Sequence, residues 1–309
     1  MKFWVGVTDN KWFRYLRGKG FDEVNFWQPS AKPMFTNIEP GTPFFFKLKR
    51  PLNHIGGYGT FVSFVRLPLA LAWETFGEKN GAATLAEFAS MIRPLSPNPG
   101  EVNPEIGCTL IAQPVFFNED TFAAPPVDWG ASIVRGKGYE DNTSEGARLV
   151  QLVQAGAENV LHGSVADGWH VGERPAEHSA PYLAQARLGQ GTFRALVTQA
   201  YERKCAITGE NILPVLEAAH IKPFSEQGPH KMSNGLLLRS DFHKLFDLGY
   251  LTVTPDLRIE VSRRIHDEWF NGKAYYRVHG KPLATLPSKP WGKPSPEYLR
   301  WHNENRFQA

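Results

Sequence analysis

The sequence predicts an α+β protein of two domains, and three observations support that class. The chain has 309 residues, which is long for one domain and sufficient for two separate cores. Its first 120 residues are dense in aromatic side chains and in short apolar runs divided by turn residues, a pattern typical of a small, curved sheet or barrel. Further along, an apolar run, a loop, a second apolar run and a short helical segment follow one another. We therefore predict an N-terminal domain over residues 1–162, a linker over 163–185 and a C-terminal domain over 186–309.

The N-terminal domain should combine short strands with a few helices. Three apolar and aromatic runs indicate strands, at residues 44–46, 61–65 and 115–117. Apolar residues at helical intervals indicate helices at residues 9–18, 69–76 and 145–161, and the last of these would close the domain. The segment that follows is polar, with scattered Gly, His and Pro and little periodicity, which indicates the linker.

The most informative pattern lies in the C-terminal domain. An apolar run suits a short buried strand over residues 213–219 and ends at His220. A loop then returns through Asn234 and the glycine after it, a turn signal, into a second strand over residues 236–238. A short helix is predicted over residues 241–248. His220 therefore lies at a strand end, beside a loop.

Four residues of this pattern have the chemistry of a hydrolytic site. His243 and Asp247 are four residues apart and project from one face of the predicted helix, where an imidazole and a carboxylate form half of a cation site. A hard cation held there would stabilise the charge that develops on a scissile phosphate. Water attacks a phosphodiester poorly and needs a base, and a neutral histidine such as His220 suits that role. The amide of Asn234 would hold the loop and fix the direction of His220.

The order and spacing of these residues resemble the HNH family of endonucleases, over roughly residues 187–277. In that family two short strands and a helix, the ββα-metal finger, wrap a single divalent cation. The resemblance implies one Mg²⁺ or Mn²⁺ per site and a cut that leaves a 5′-phosphate and a 3′-hydroxyl. Many relatives carry Asp or His directly before the base, where this chain has Ala219. Glu217, water or substrate phosphate would then complete the metal site.

The cysteines and glycines limit the other cofactors. Many relatives brace this fold with paired Cys-x-x-Cys motifs, whereas only Cys205 remains in this segment, so no structural zinc is expected. Cys108 and Cys205 fall in different predicted domains, and we expect no disulfide between them. The glycine loop at residues 56–59 lacks the spacing of a phosphate-binding loop, so no nucleotide cofactor is expected either.

Charge and hydropathy bound the partners of the chain. The net charge of +3 is too small to argue for nucleic-acid binding by itself. Residues 186–309 hold 18 Lys and Arg against 12 Asp and Glu, whereas residues 1–185 hold 16 against 19. The C-terminal half is thus the basic half, as phosphate contact would favour, although an unevenly charged solvated surface would look the same. The chain has no secretory signal pattern and no apolar run of eighteen residues, which predicts a cytoplasmic protein without a membrane partner.

In residues 23–62 of the N-terminal domain, a polar and aromatic segment precedes a Pro-Gly turn and a strand of aromatics. This order resembles the PUA-like superfamily and, within it, the EVE type. The EVE and SRA types read single modified bases, which implies a pocket with an aromatic floor and a few polar groups for a base taken out of the duplex. The candidate pocket residues are Asn25, Phe26, Trp27, Gln28, Ser30 and Tyr58. The alternative is that Phe26 and Trp27 are core residues of the barrel.

The two resemblances together imply a modification-dependent restriction endonuclease of the type IV kind. Its partner would be double-stranded DNA with a modified base, cytosine first, and a homodimer is expected because each site cuts one strand. Candidates for contact with the DNA backbone are Arg187, Gln190, Arg194 and Lys222. Two alternatives stay open. One is an HNH nuclease that senses an unmodified site or a small signal, and the other is a DNA-binding protein whose metal site has decayed, which Ala219 favours.

Overall fold

A computed structural model describes residues 2–33, 35, 38–98, 100–163 and 189–309. Contacts within the chain divide it into two compact units, Met1–Arg187 and Leu188–Ala309, here called unit 1 and unit 2. Nearly all of the predicted linker lies outside the described residues. Within the described part, no helix combines the length and the apolar character that crossing a membrane requires.

A six-stranded sheet forms the centre of unit 1. Its strands are β1 (Lys2–Thr8), β2 (Glu23–Gln28), β3 (Pro43–Leu48), β4 (Ile55–Pro68), β5 (Glu105–Phe116) and β6 (Gly136–Glu140). They lie in the order β2-β5-β4-β3-β1-β6, with β1 and β3 parallel and all other neighbours antiparallel. Among the described residues β2 and β6 are the edge strands, so the sheet does not close into a barrel, and the predicted α+β class is confirmed.

Aromatic side chains hold this sheet on both faces. All six residues of β3 are buried, including three consecutive phenylalanines. Because successive residues of a strand point to opposite faces, Phe44 and Phe46 join the apolar cluster around Trp12, whereas Phe45 joins a second cluster with Tyr58. The aromatic runs of the sequence thus form the core of the unit.

The helices of unit 1 lie between the strands in sequence. They are α1 (Asn10–Leu16), α2 (Leu69–Phe76), α3 (Leu85–Ile92) and α4 (Ser144–Gly163). The carboxylate of Asp9 caps α1 by accepting hydrogen bonds from the backbone N–H groups of Lys11 and Trp12. The helices predicted at residues 69–76 and 145–161 are confirmed. The first helix ends at Leu16, before its predicted end, because Arg17 takes an extended conformation.

Unit 2 consists of two hairpins surrounded by helices. Its elements are α5 (Gln190–Ala200), β7 (Leu216–His220), β8 (Gly235–Arg239), α6 (Ser240–Asp247), β9 (Leu251–Val253), β10 (Ile259–Val261), α7 (Arg264–Trp269), α8 (Lys273–Tyr276) and α9 (Pro296–Asn305). β7 pairs with β8 and β9 with β10, both antiparallel. A single apolar cluster joins the hairpins to α5, α6 and α9.

Candidate active site

The first hairpin of unit 2 and the helix after it form the candidate active site. β7 is shorter than predicted, because Leu213–Val215 form a 3₁₀ turn around a proline. Its last residue, His220, pairs with Gly235 at the start of β8, and α6 begins directly after that strand. Ala219 is fully buried in the core of the unit. The three elements thus place His220, Asn234, His243 and Asp247 within one short ββα segment.

Asn234 fastens the loop that joins the two strands. Its side chain is fully buried. Oδ1 accepts a hydrogen bond from the backbone N–H of Lys222 at 2.8 Å, and Nδ2 donates to the carbonyls of Lys222 at 2.9 Å and Pro229 at 3.0 Å. Gly228 lies in the same loop, where an added Cβ would come 1.8 Å from the Lys222 carbonyl oxygen. The loop after His220 is therefore tied at both ends and closely packed.

His220 is held by aromatic rings and by a second histidine. Its ring stacks on Phe193 of α5, with centroids 3.9 Å apart and planes 14° apart. Its Nε2 lies 2.9 Å from Nδ1 of His230, whose own ring stacks on Phe224 at 4.6 Å. Burial, and then charge repulsion from His230 and His243, lower the pKa of His220 to about 4. His220 is therefore neutral at pH 7, with one ring nitrogen fixed by a neighbour.

His230 and the two phenylalanines are absent from the sequence-based site. His230 lies in the loop ten residues after His220, where spacing alone gives a histidine no partner. Phe193 lies on a helix that precedes the hairpin and reads as an ordinary core residue. The sequence offered one signal for this contact, a second histidine inside the loop that follows His220.

Two carboxylates flank His243 on α6. Its Nδ1 lies 2.5 Å from Oε2 of Glu217, which reaches it from β7. Its Nε2 lies 3.4 Å from Oδ2 of Asp247, one helical turn away. Burial raises the pKa of Asp247 above its usual value, against the opposing effects of His243, Lys244 and Arg306. The imidazole is thus fixed on one edge and open to a shared ligand with Asp247 on the other.

This donor set fits a weakly held hard cation. Within the described residues no group of three or more His, Cys, Asp or Glu side chains could hold a metal ion. His243 Nε2 and Asp247 form a pair at the separation of two ligands of one ion. A hard cation that keeps several waters needs no more than one or two protein ligands. Glu217 contacts Nδ1 of His243, on the opposite edge of the ring from Asp247, so these two carboxylates do not face one ion position.

The other residues of unit 2 that the sequence singled out differ in burial and in their contacts. Cys205 is buried in the core, where its sulfur accepts a hydrogen bond from the backbone N–H of Arg239 at 3.4 Å. Gln190 is exposed at the first turn of α5, and Arg194 is partly buried on the same helix. Lys222 lies two residues after His220 and places its ammonium 5.5 Å from the ring centre of Trp301. Arg187 lies outside the described residues.

The residues predicted to form the base pocket of unit 1 pack against their neighbours and leave no pocket between them. Phe26 is 6% exposed and packs edge to face against Trp12 and Phe44, and Asn25 is fully buried, with Nδ2 bonded to Oδ1 of Asn80 at 2.8 Å. Three other candidates donate hydrogen bonds to backbone carbonyls: Trp27 to Asn80, Gln28 to Ser30 and Lys32, and Tyr58 to Val153. Oγ of Ser30 accepts from the backbone N–H of Lys32 at 3.2 Å. A base reaches none of the buried members without opening the sheet, so the core alternative describes this segment.

Comparison with known proteins agrees with the geometry of unit 2. The HNH endonuclease family model matches residues 205–254 of this chain. No curated protein is similar enough to count as a match. ASCH from Zymomonas mobilis is 12% identical and a point mutant of it is 11% identical; each covers 48% of this chain, with 94% and 97% of its own chain and a TM-score of 0.29. A modification-dependent TagI restriction endonuclease is 14% identical over 97% of this chain and 80% of its own, with a TM-score of 0.28. The chain therefore carries an HNH endonuclease domain, and the nuclease prediction is confirmed.

Proposed function

From this HNH endonuclease domain, we propose that the chain is a modification-dependent DNA endonuclease, which reads a modified base, cytosine first, through unit 1. Two observations carry the hydrolytic part: His220 is neutral and held by Phe193 and His230, and His243 lies beside Asp247. The reading part rests on the resemblance of residues 23–62 to the EVE type. We further propose that the protein acts as a homodimer in the cytoplasm, since each site cuts one strand.

In this proposal His220 is the general base. A base needs a free lone pair, and a pKa near 4 leaves the ring unprotonated at pH 7. When Nε2–H donates to Nδ1 of His230, the lone pair of His220 lies on its own Nδ1, directed away from the bonded edge. His230 thus acts as a positioning residue that selects the tautomer, and Asn234 fixes the backbone that carries the base.

Nε2 of His243 and the carboxylate of Asp247 would hold one Mg²⁺, or Mn²⁺ in its place. A divalent cation there supplies charge stabilisation for the scissile phosphate and the departing sugar oxygen. Glu217 accepts from Nδ1–H of His243, which fixes the ring and increases the basicity of Nε2. We assign Glu217 to this orienting role rather than to the metal itself.

Digestion of one phage DNA in cytosine-modified and unmodified forms, with Mg²⁺ or Mn²⁺, tests the proposal. We expect cleavage of the modified form and little of the other. Equal cleavage of both forms would show that unit 1 does not read a modified base and that the chain is an HNH nuclease without this specificity. No cleavage with either metal would leave a DNA-binding protein.

The matched variants are His220→Ala and His266→Ala. His266 is an exposed histidine of the same unit, with 67% of its side chain accessible. We expect the first variant to bind DNA without cutting and the second to cut as the wild type does. Persistent cutting by His220→Ala would contradict the assignment of the base.

A further inference from the structure

Unit 1 contains a cleft that the function described so far does not use. It has a volume of about 520 Å³ and lies between the end of β3, the turn after it and the loop before β6. Its lining includes Lys47, Arg50, Asn53, Pro126, Trp129 and Ile133. Lys49, which pairs with Asp9, also lines the cleft, so three cations face one space with the Asn53 amide and the Trp129 indole ring.

Lys47 is the unusual member of this cleft. The residue is 5% exposed, and its ammonium donates a hydrogen bond to Oδ1 of Asn53 at 2.6 Å. Among the described residues no carboxylate forms an ion pair with it: Asp9 pairs with Lys49, and Asp128 with Lys137. Burial, and then the charge of Arg50, lower the pKa of Lys47. A buried ammonium without a counter-ion is costly, and an anion entering the cleft would relieve that cost.

Two residues beside Lys47 shape the cleft: Asn53 holds the ammonium, and Trp129 offers a ring on which a planar ligand can stack. Asn53 adopts a left-handed conformation with φ of 50°, which asparagine tolerates and which keeps its amide on Lys47. Trp129 places its ring centre 5.4 Å from the Lys47 ammonium and is only partly buried. A cation beside an accessible indole is a combination that binds a phosphate and stacks a base or sugar.

We propose that this cleft binds one nucleotide, with its phosphate against Lys47 and Arg50 and its base or sugar against Trp129. The inference deepens the reading role of unit 1 and rests on it for the identity of the substrate. It also moves the reading site from the buried segment around Phe26 to a place that a nucleotide can enter. The phosphate belongs either to a DNA strand or to a single nucleotide.

Binding can be measured on the full chain in EDTA, where cutting is not required. The probes are dCMP, deoxycytidine and inorganic phosphate by calorimetry, and a labelled oligonucleotide by fluorescence anisotropy. We expect Lys47→Met to weaken binding of dCMP or of the oligonucleotide about tenfold, because a charge-assisted contact is lost. If Lys47→Met binds dCMP more weakly, the ligand is a single nucleotide. If only its binding of the oligonucleotide is weaker, the ligand is a DNA strand.

Thermal unfolding separates a binding lysine from a structural one. Lys47→Met removes a buried unpaired charge, so we expect its melting temperature to equal or exceed that of the wild type. Lys11→Met, at an exposed lysine of α1, is the control for general charge effects and should leave binding unchanged. Trp129→Leu, in a surface loop, should also weaken binding.

Unchanged affinity in both cleft variants would overturn the inference. A lowered melting temperature with unchanged affinity in Lys47→Met would likewise show a structural lysine. Because the assay contains no metal, a failure of the proposed cutting activity leaves its outcome intact.

Discussion

Acid should destabilise unit 2 through His302, a buried histidine outside the active site. The residue lies on α9 and is 2% exposed. Its ring stacks on Phe246 with centroids 3.7 Å apart, Nε2 donates to the Phe246 carbonyl at 3.1 Å, and Nδ1 lies 2.8 Å from Oγ1 of Thr252. Burial, only partly offset by the bond to Phe246, lowers the pKa of His302 to about 4.

The magnitude follows from the difference between the folded and unfolded values. The ordinary histidine pKa of 6.5 applies to His302 in the unfolded chain, against about 4 in the folded one. As pH falls from 7 to 5, the unfolded chain binds a proton at this residue while the folded chain does not. This favours unfolding by about 2 kcal/mol over that interval. The stabilisation is complete above the unfolded pKa and is lost as pH falls towards the folded one.

Urea unfolding at several pH values between 5 and 7 tests this prediction. His302→Gln keeps groups that can hydrogen-bond but does not titrate, so its stability should depend less on pH than that of the wild type by about 2 kcal/mol. His266→Gln, at an exposed position, should follow the wild type. The pKa of His220 is also lowered to about 4, so this residue adds a pH dependence of its own, equally in all three proteins. An unchanged pH dependence in His302→Gln would refute the reasoning.

Four further outcomes concern the active site. His230→Phe keeps a ring on Phe224 but loses the nitrogen that contacts the base, so kcat in a plasmid-nicking assay should fall about tenfold. His230→Asn places an oxygen where Nδ1 was and should retain most activity. If His230→Phe were the more active of the two variants, packing alone would matter at this position. Asn234→Ala loses three buried hydrogen bonds and should lower the free energy of unfolding by about 2–4 kcal/mol in urea. Gly228→Ala should destabilise the protein by more than about 1 kcal/mol, because the loop must move. Asp247→Asn should weaken Mn²⁺ binding in calorimetry about tenfold.

The sequence alone could place the four candidate residues of unit 2 near one another because they lie close along the chain. His220, Asn234, His243 and Asp247 fall within 28 residues, and a strand, a turn and a short helix leave few ways to arrange them. Asn234 precedes a glycine whose added Cβ would come 2.5 Å from Val197, so the turn and the packing agree at that point. Strand and helix periodicity were therefore sufficient to place these side chains near one another.

The sequence could not predict the contacts that join distant segments. Phe26 and Trp27 have the same local pattern whether they line a pocket or fill a core, and their partners Trp12, Phe44 and Asn80 decide between the two. Lys47 and Trp129 are 82 residues apart and meet only because the loop before β6 crosses the end of β3. The periodicity of the sequence does not predict a contact between residues so far apart in the chain.

In the proposed function, Glu217 orders a metal ligand in a chain that has Ala219 before His220. Residues two apart on a strand point to the same face, so Glu217 and Ala219 share one face of β7. Ala219 carries no donor, but Glu217 accepts from His243 and fixes its ring. In the proposed site the carboxylate of the strand would orient His243 rather than contact the cation, which would leave more ligand positions to water and to the scissile phosphate. A cation that keeps its waters would suit such a site, and substrate would then strengthen metal binding, because it would supply the ligands that the protein does not.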